Sequence, residues 1–272
     1  MRALLALFAC LGAAVAATAQ PKSDIPIFDA HLHYSHDAVQ MLPPADAIRI
    51  LRQAGLRKAL VSSSDDDGTQ KLHALAPDLI VPSLRPYRRR SDISTWVRDD
   101  GIITYMEERL AKYRYAALGE FHVYGADADL PVVRRVVELA RQHRLVLHLH
   151  GDAEAVHRVM RQFPEAIILW AHSGFAAIPE IEAVLKAYPK LYADLAFRTD
   201  HIGAGDTVQD EWAALFRRHP DRFMLGTDTF TPERWYFIEP HARSARAWLA
   251  RLPDDLSEKI AWRNAEKLFA RP

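Results

Sequence analysis

Two short histidine pairs stand out in the chain, His31-Leu32-His33 and His148-Leu149-His150. In extended backbone, residues i and i+2 project from one face about 6.5–7 Å apart, so imidazoles spaced this way can converge on a single cation. The same spacing is also produced by two polar residues leaving the end of a strand. In the second pair His150 is the preferred ligand, because it stands directly before Gly151-Asp152 and the helix that starts near Ala153. His148 lies one layer deeper, as a core or supporting histidine.

Three more groups have the right chemistry. Glu120, in Leu118-Gly119-Glu120-Phe121-His122, follows largely apolar residues. A carboxylate buried there needs a cation, an ion pair or hydrogen bonds to compensate its lost hydration. His122 reads as a loop residue. His172, in Trp170-Ala171-His172-Ser173-Gly174, precedes a glycine that permits a sharp turn. It suits a metal ligand, an electrophilic group polarising a substrate, or a structural histidine. Asp228, in Gly226-Thr227-Asp228-Thr229, could be a ligand or the N-cap of the next helix.

The elements that must position these groups are short apolar runs alternating with amphipathic stretches. The predicted strands cover residues 25–30, 58–62, 79–82, 116–120, 145–150, 167–172, 191–195 and 223–227. Helical patterns lie between them, such as 131–143 with its stripe of Val132, Val133, Val136, Val137, Leu139 and Ala140. Proline opens helices at Pro131, Pro179 and Pro232, where the missing N–H has no partner to lose. Eight such units predict one α/β domain, a single (β/α)8 TIM barrel, with 255–270 as a C-terminal closing helix that turns Ile260, Leu268 and Phe269 toward the barrel. In that fold active sites form at the C-terminal ends of the strands. The candidate ligands all fall there, and five separate strand ends make a metal site the better account of each. Nitrogen and oxygen ligands suit Zn²⁺ and also accommodate Mn²⁺, Fe²⁺ or Ni²⁺.

Composition narrows the alternatives. The 35 basic and 35 acidic residues cancel, so no net field draws the chain to nucleic acid or to an anionic membrane. Arg88, Arg89 and Arg90, followed by Asp92, read as a solvated turn, as does the run from Ser62 to Asp67. An apolar run from Ala3 to Ala17 behind Arg2, ending Thr18-Ala19-Gln20, predicts a signal peptide over residues 1–19 and a barrel domain over 20–272. The mature chain would be secreted, periplasmic in a bacterium, with no membrane span. The single cysteine, Cys10, lies within that leader, which leaves the mature chain without thiolate ligands or disulfides. No Gly-x-Ser-x-Gly elbow and no phosphate-cradling glycine loop are present.

Asp29-Ala30-His31-Leu32-His33, Trp170-Ala171-His172-Ser173-Gly174, Gly226-Thr227-Asp228 and Asn264-Ala265-Glu266-Lys267-Leu268-Phe269 together resemble the amidohydrolase superfamily, most closely its amidohydrolase-2 branch. The resemblance spans nearly the whole mature chain. It implies one or two divalent metal ions, with His31 and His33 as the ligands of strand one and His150 and His172 as the histidines of strands five and six. Asp228 matches the strand-eight aspartate that binds metal and moves the proton, so Asp228 and His172 are the catalytic candidates. Many members carry a carboxylated lysine at the end of strand four. Glu120 stands there instead, as in the deoxyribonuclease and phosphotriesterase-like-lactonase relatives. Asp29 and Asp194 are candidates for supporting the ligands.

The implied activity is metal-assisted hydrolysis of a small molecule at a carbonyl or phosphoryl centre. Arg85, Tyr87, Arg198, His201 and Trp235 are available in the strand-to-helix loops, with Arg198 and Arg85 the candidates for gripping a substrate carboxylate or phosphate. The rival readings are a non-oxidative decarboxylase with one metal and a binding protein that kept the barrel and lost catalysis.

Overall fold

The computed structural model describes residues 24–203 and 207–270, so the predicted signal peptide lies outside the described residues. Eight parallel strands pair in sequential order: β1 (Ile27–His33), β2 (Leu56–Ser62), β3 (Ile80–Leu84), β4 (Ala117–His122), β5 (Val146–His150), β6 (Ile168–Trp170), β7 (Leu191–Asp194) and β8 (Phe223–Met224). The ladder of β8 is only two residues long, yet the chain beyond it runs on beside β1. Ala30 N–H donates to Leu225 O at 2.8 Å, Asp228 N–H to His31 O at 2.7 Å and His33 N–H to Thr229 O at 2.9 Å. These bonds close the (β/α)8 barrel that the strand count predicted.

Helices cover the outside. The helix at Pro131–His143 buries the predicted valine stripe, and prolines occupy the first turn there, at Ile178–Ala187 and at Pro232–Trp235. Inside the barrel, Phe28, Ala30, Leu60, Ala117, Val146, Leu169 and Met224 meet Ala265, Leu268 and Phe269 from the C-terminal helical segment, Asp254–Phe269, which plugs the bottom. Ile260 instead packs into the larger cluster between strands and helices.

Two irregularities decide what the upper half of the barrel contains. On β1, Phe28 and Ala30 face the interior, so strict alternation would send His31 and His33 outward with Ile27. A register shift against β2 between Asp29 and Leu32 reverses the parity, so that both imidazoles enter the barrel and Leu32 leaves it. On β4, Ala117 faces inward and Leu118 outward, and a shift against β5 between Gly119 and Phe121 turns Glu120 in. Gly119 makes this possible: its φ is +127°, and a Cβ there would lie 2.1 Å from His148 O.

Candidate metal centre

Above the apolar plug the barrel axis is occupied by imidazoles and carboxylates. His31 Nε2 and His33 Nε2 face each other across 3.1 Å. His31 Nε2 lies 3.4 Å from Glu120 Oε1 and 3.5 Å from Asp228 Oδ1, and His33 Nε2 lies 3.3 Å from Glu120 Oε2 and 3.1 Å from Asp228 Oδ1. Metal–ligand bonds of about 2.0–2.1 Å place neighbouring ligand atoms of a tetrahedron about 3.3 Å apart. The observed separations are those of a coordination shell.

The tautomers agree. His31 Nδ1–H donates to Asp194 Oδ2 at 3.1 Å, and His33 Nδ1–H donates to Ser62 Oγ at 2.9 Å and to the Ser62 carbonyl at 3.3 Å. Arg85 Nη1 is also 3.3 Å from His33 Nδ1, but the carbonyl can only accept, which makes Nδ1 the protonated nitrogen. Both Nε2 lone pairs therefore point at the same space, an arrangement that calls for a cation or a proton between them.

Glu120 extends the centre sideways. Its Oε1 lies 2.6 Å from His150 Nδ1 and 3.6 Å from His172 Nε2. Glu120, His150 and His172 thus form a second group able to hold an ion, sharing the carboxylate with the first. His172 Nδ1–H donates to Ala196 O at 3.1 Å, and its Nε2 is buried with no hydrogen-bond partner. A buried acceptor left unpaired costs about 1–3 kcal/mol, and an ion would satisfy it. The donor set therefore fits one or two divalent cations. His172 reaches its position after β6 has ended, in a turn where His172, Ser173, Gly174 and Phe175 all have φ between +51° and +65°. Asp228 is likewise left-handed, at φ +46°. Such backbone in non-glycine residues is uncommon and concentrates at functional sites.

Electrostatics follow from burial and crowding. Burial resists ionisation of Glu120, yet the imidazoles around it hold it well below the usual carboxylate range. Asp228 is held down to about 2 against burial, by His31 and by its contacts with His33. For His31, burial opposes the charged form, while Asp228, Asp194 and Glu120 together push it well above the usual imidazole value. Burial lowers His148 to about 4 and leaves it neutral at pH 7.

The supporting residues are distinct. Asp194 Oδ2 accepts from His31 and from His148 Nε2, each at 3.1 Å, and its Oδ1 accepts the backbone N–H groups of His172 and Ala196, each at 3.0 Å. One carboxylate thus ties β1, β5, β7 and the turn after β6 together, and His148 stands beneath the cluster. Asp29 accepts the His31 and Thr227 N–H groups and the Thr227 hydroxyl, and burial raises it to about 6.

A cavity of about 500 Å³ opens above the centre, reaching His33, Glu120, His150, His172 and Asp228. Arg85 lines it, held by its bonds to the Glu120 carbonyl at 3.2 Å and Glu120 Oε2 at 3.0 Å. Arg198 does not line it. Its Nη2–H donates to Ala176 O at 2.9 Å and its guanidinium stacks 5.2 Å over Trp212. Trp235 is buried against Tyr34, and Tyr87 is buried beneath His122, whose Nδ1 it meets at 2.9 Å. His122 belongs to the cavity wall and stacks on His150 at 4.1 Å, where a loop position was expected. Inward projection of the residue two beyond Glu120 follows from the period of two once the β4 shift is known.

The Ser62–Asp67 run differs from the solvated turn predicted for it. Ser62, Ser63, Ser64 and Asp66 are buried, and Asp66 accepts from Arg109 Nη2 at 2.7 Å and from the Tyr115 hydroxyl at 2.6 Å. Isolated polar residues look alike whether water or a distant helix satisfies them. Within Arg88–Arg90, Arg88 and Arg89 bond Asp92 and Arg90 reaches Asp37 at the cavity mouth.

An eight-stranded α/β barrel with a histidine–carboxylate centre at its strand ends defines an enzyme of the metal-dependent amidohydrolase type. The chain belongs to the amidohydrolase family, whose model matches residues 28–271. No curated protein matches it. Among solved structures, it is similar to a TatD homolog from Escherichia coli, with a TM-score of 0.56 and 18% identity, covering 90% of this chain and 98% of the other. It is also similar to a protein from Acinetobacter baumannii assigned as a 2-pyrone-4,6-dicarboxylic acid hydrolase, solved with citric acid bound. That likeness has a TM-score of 0.62 at 10% identity and covers 90% and 99% of the two chains. At these identities the likeness is one of fold.

Proposed function

We propose that the chain is a small-molecule hydrolase with a two-ion centre, zinc being the first candidate and Mn²⁺, Fe²⁺ or Ni²⁺ the others. His31, His33, Glu120 and Asp228 would hold one ion, and Glu120, His150 and His172 the other. The observation that carries this reading is the placement of Glu120, whose Oε1 lies near His31 of the first ligand group and near His150 and His172 of the second, while its Oε2 faces His33. The ions would supply Lewis-acid activation of a water molecule and of the substrate's carbonyl or phosphoryl oxygen. Asp228, ionised at neutral pH and open on one edge to the cavity, accepts the proton of the attacking water and returns it to the leaving group. His172, fixed through its Nδ1, presents Nε2 beside that carboxylate at 3.7 Å from Oδ2. Arg85 keeps Glu120 oriented.

The test is metal analysis of natively purified protein, followed by a screen of esters, lactones, amides and phosphoesters. Two equivalents of metal and turnover that is lost in His31→Asn and Asp228→Asn, with the circular dichroism spectrum retained, are expected. Full activity in a metal-free preparation would sink the reading, and one equivalent of metal with carbon dioxide release would replace it with decarboxylation. We also propose export through cleavage after Ala19, on the strength of the apolar N-terminal run. Mass spectrometry of the periplasmic fraction should then find a chain starting at Gln20.

A further inference from the structure

The wall of the cavity that faces the metal ligands is aromatic, and three different strand-to-helix loops build it. Phe175 follows β6, Phe197 follows β7 and Phe230 follows β8, and all three line the cavity. They are 52%, 43% and 42% exposed, which is unusual for phenylalanine in a barrel whose other large apolar side chains are mostly buried. Two of them sit in backbone that resists them: Phe175 has φ +51° and Phe197 φ +56°, a region in which bulky residues are outliers. Such strain concentrates at ligand-binding sites. The rings are also braced. Phe175 stacks on His172 at 4.5 Å and 15°, Phe197 lies 5.7 Å from His172 and 6.4 Å from Phe230, and the Arg234 guanidinium lies 4.4 Å over Phe197.

The guanidinium charge in the cavity is compensated. The two guanidinium groups that line it are Arg85, bonded to Glu120, and Arg90, bonded to Asp37 Oδ2 at 3.0 Å. Arg198, the other arginine that could have gripped an anion, is turned onto Trp212. The aromatic faces are thus the recognition surface left beside His172.

We propose that Phe175, Phe197 and Phe230 form a collar for a flat, uncharged aromatic or aryl-bearing substrate, whose scissile group it delivers to the ligand cluster. The substrate class is then neutral aryl or arylmethyl esters, amides or lactones. This rests on the hydrolase reading for the reaction, but the binding claim stands on the collar alone.

The probes are 2-naphthol, cyclohexanol and inorganic phosphate, titrated into the full mature chain by calorimetry or ligand-observed NMR. Metal content is measured on every sample. Expected is saturable 2-naphthol binding, with cyclohexanol at least about tenfold weaker. In Phe197→Leu/Phe230→Leu, which keeps apolar bulk and removes the flat faces at two partly exposed positions, 2-naphthol should weaken about tenfold with metal content unchanged. Equal binding of 2-naphthol and cyclohexanol, no effect of the double substitution, or phosphate displacing 2-naphthol as the stronger ligand would each overturn the collar. His31→Asn separates the two readings: loss of metal with 2-naphthol binding retained is expected. A natively purified wild type that holds no metal and turns over none of the screened substrates, yet binds 2-naphthol through the collar, would remove the hydrolase reading and leave this one intact.

Discussion

Replacing Asp194 by Asn changes the protonation of a group that Asp194 touches from below the cavity. Its Oδ1 holds two backbone N–H groups at 3.0 Å, and its Oδ2 accepts from His31 Nδ1 and His148 Nε2 at 3.1 Å. In Asp194→Asn the amide oxygen keeps the backbone bonds, and the new NH₂ group meets two ring N–H donors. To avoid donor facing donor, His31 must move its proton to Nε2, the atom 3.1 Å from His33 Nε2. A protonated Nε2 is no ligand. Loss of such a supporting hydrogen bond lowers metal affinity about 10–100-fold, or about 1.4–2.8 kcal/mol. Chelator-competition titration measures this directly, with thermal unfolding alongside. Metal affinity within twofold of wild type, together with a lower melting temperature, would make Asp194 a purely structural residue and refute the tautomer reasoning.

Acid should unfold the protein through the same cluster. Asp194, Glu120 and Asp228 all have folded-state values below the usual carboxylate range, despite burial, because imidazoles surround them. The stability they contribute is present above their unfolded values near 4 and is lost as pH falls through them toward the folded ones. Melting temperature should therefore drop as pH falls from about 5 toward about 2, less steeply in Asp194→Asn; parallel profiles would contradict this. Gly119→Ala places a Cβ 2.1 Å from His148 O at a φ of +127°. It should cost about 3 kcal/mol or more in denaturant unfolding and lower the metal content, because Glu120 must shift. Arg198→Ala removes a part-buried bond to Ala176 O and the stack on Trp212. It should cost about 1–3 kcal/mol with metal stoichiometry unchanged, as followed by unfolding and metal analysis.

Much of the barrel was legible locally. Apolar runs of four to six residues, proline-led helices and their alternation are short-range patterns, and the eight observed strands overlap the eight predicted ones. The identities of His31, His33, Glu120, His150, His172 and Asp228 were also legible, since metal-capable side chains at strand ends are a matter of residue type and order. What those residues face was not. Strict alternation puts His31 and Glu120 outside the barrel, and only the register of β1 on β2 and of β4 on β5 turns them in. Asp194 is 163 residues from His31, and Asp66 is 43 from Arg109, so neither partnership leaves a local trace. For the same reason Arg198 turns away from the cavity where it was expected to grip substrate, and the three phenylalanines that line it went unnoticed in the sequence. A loop side chain is oriented by backbone torsions and by neighbours on other strands, and those exist only once the barrel has closed.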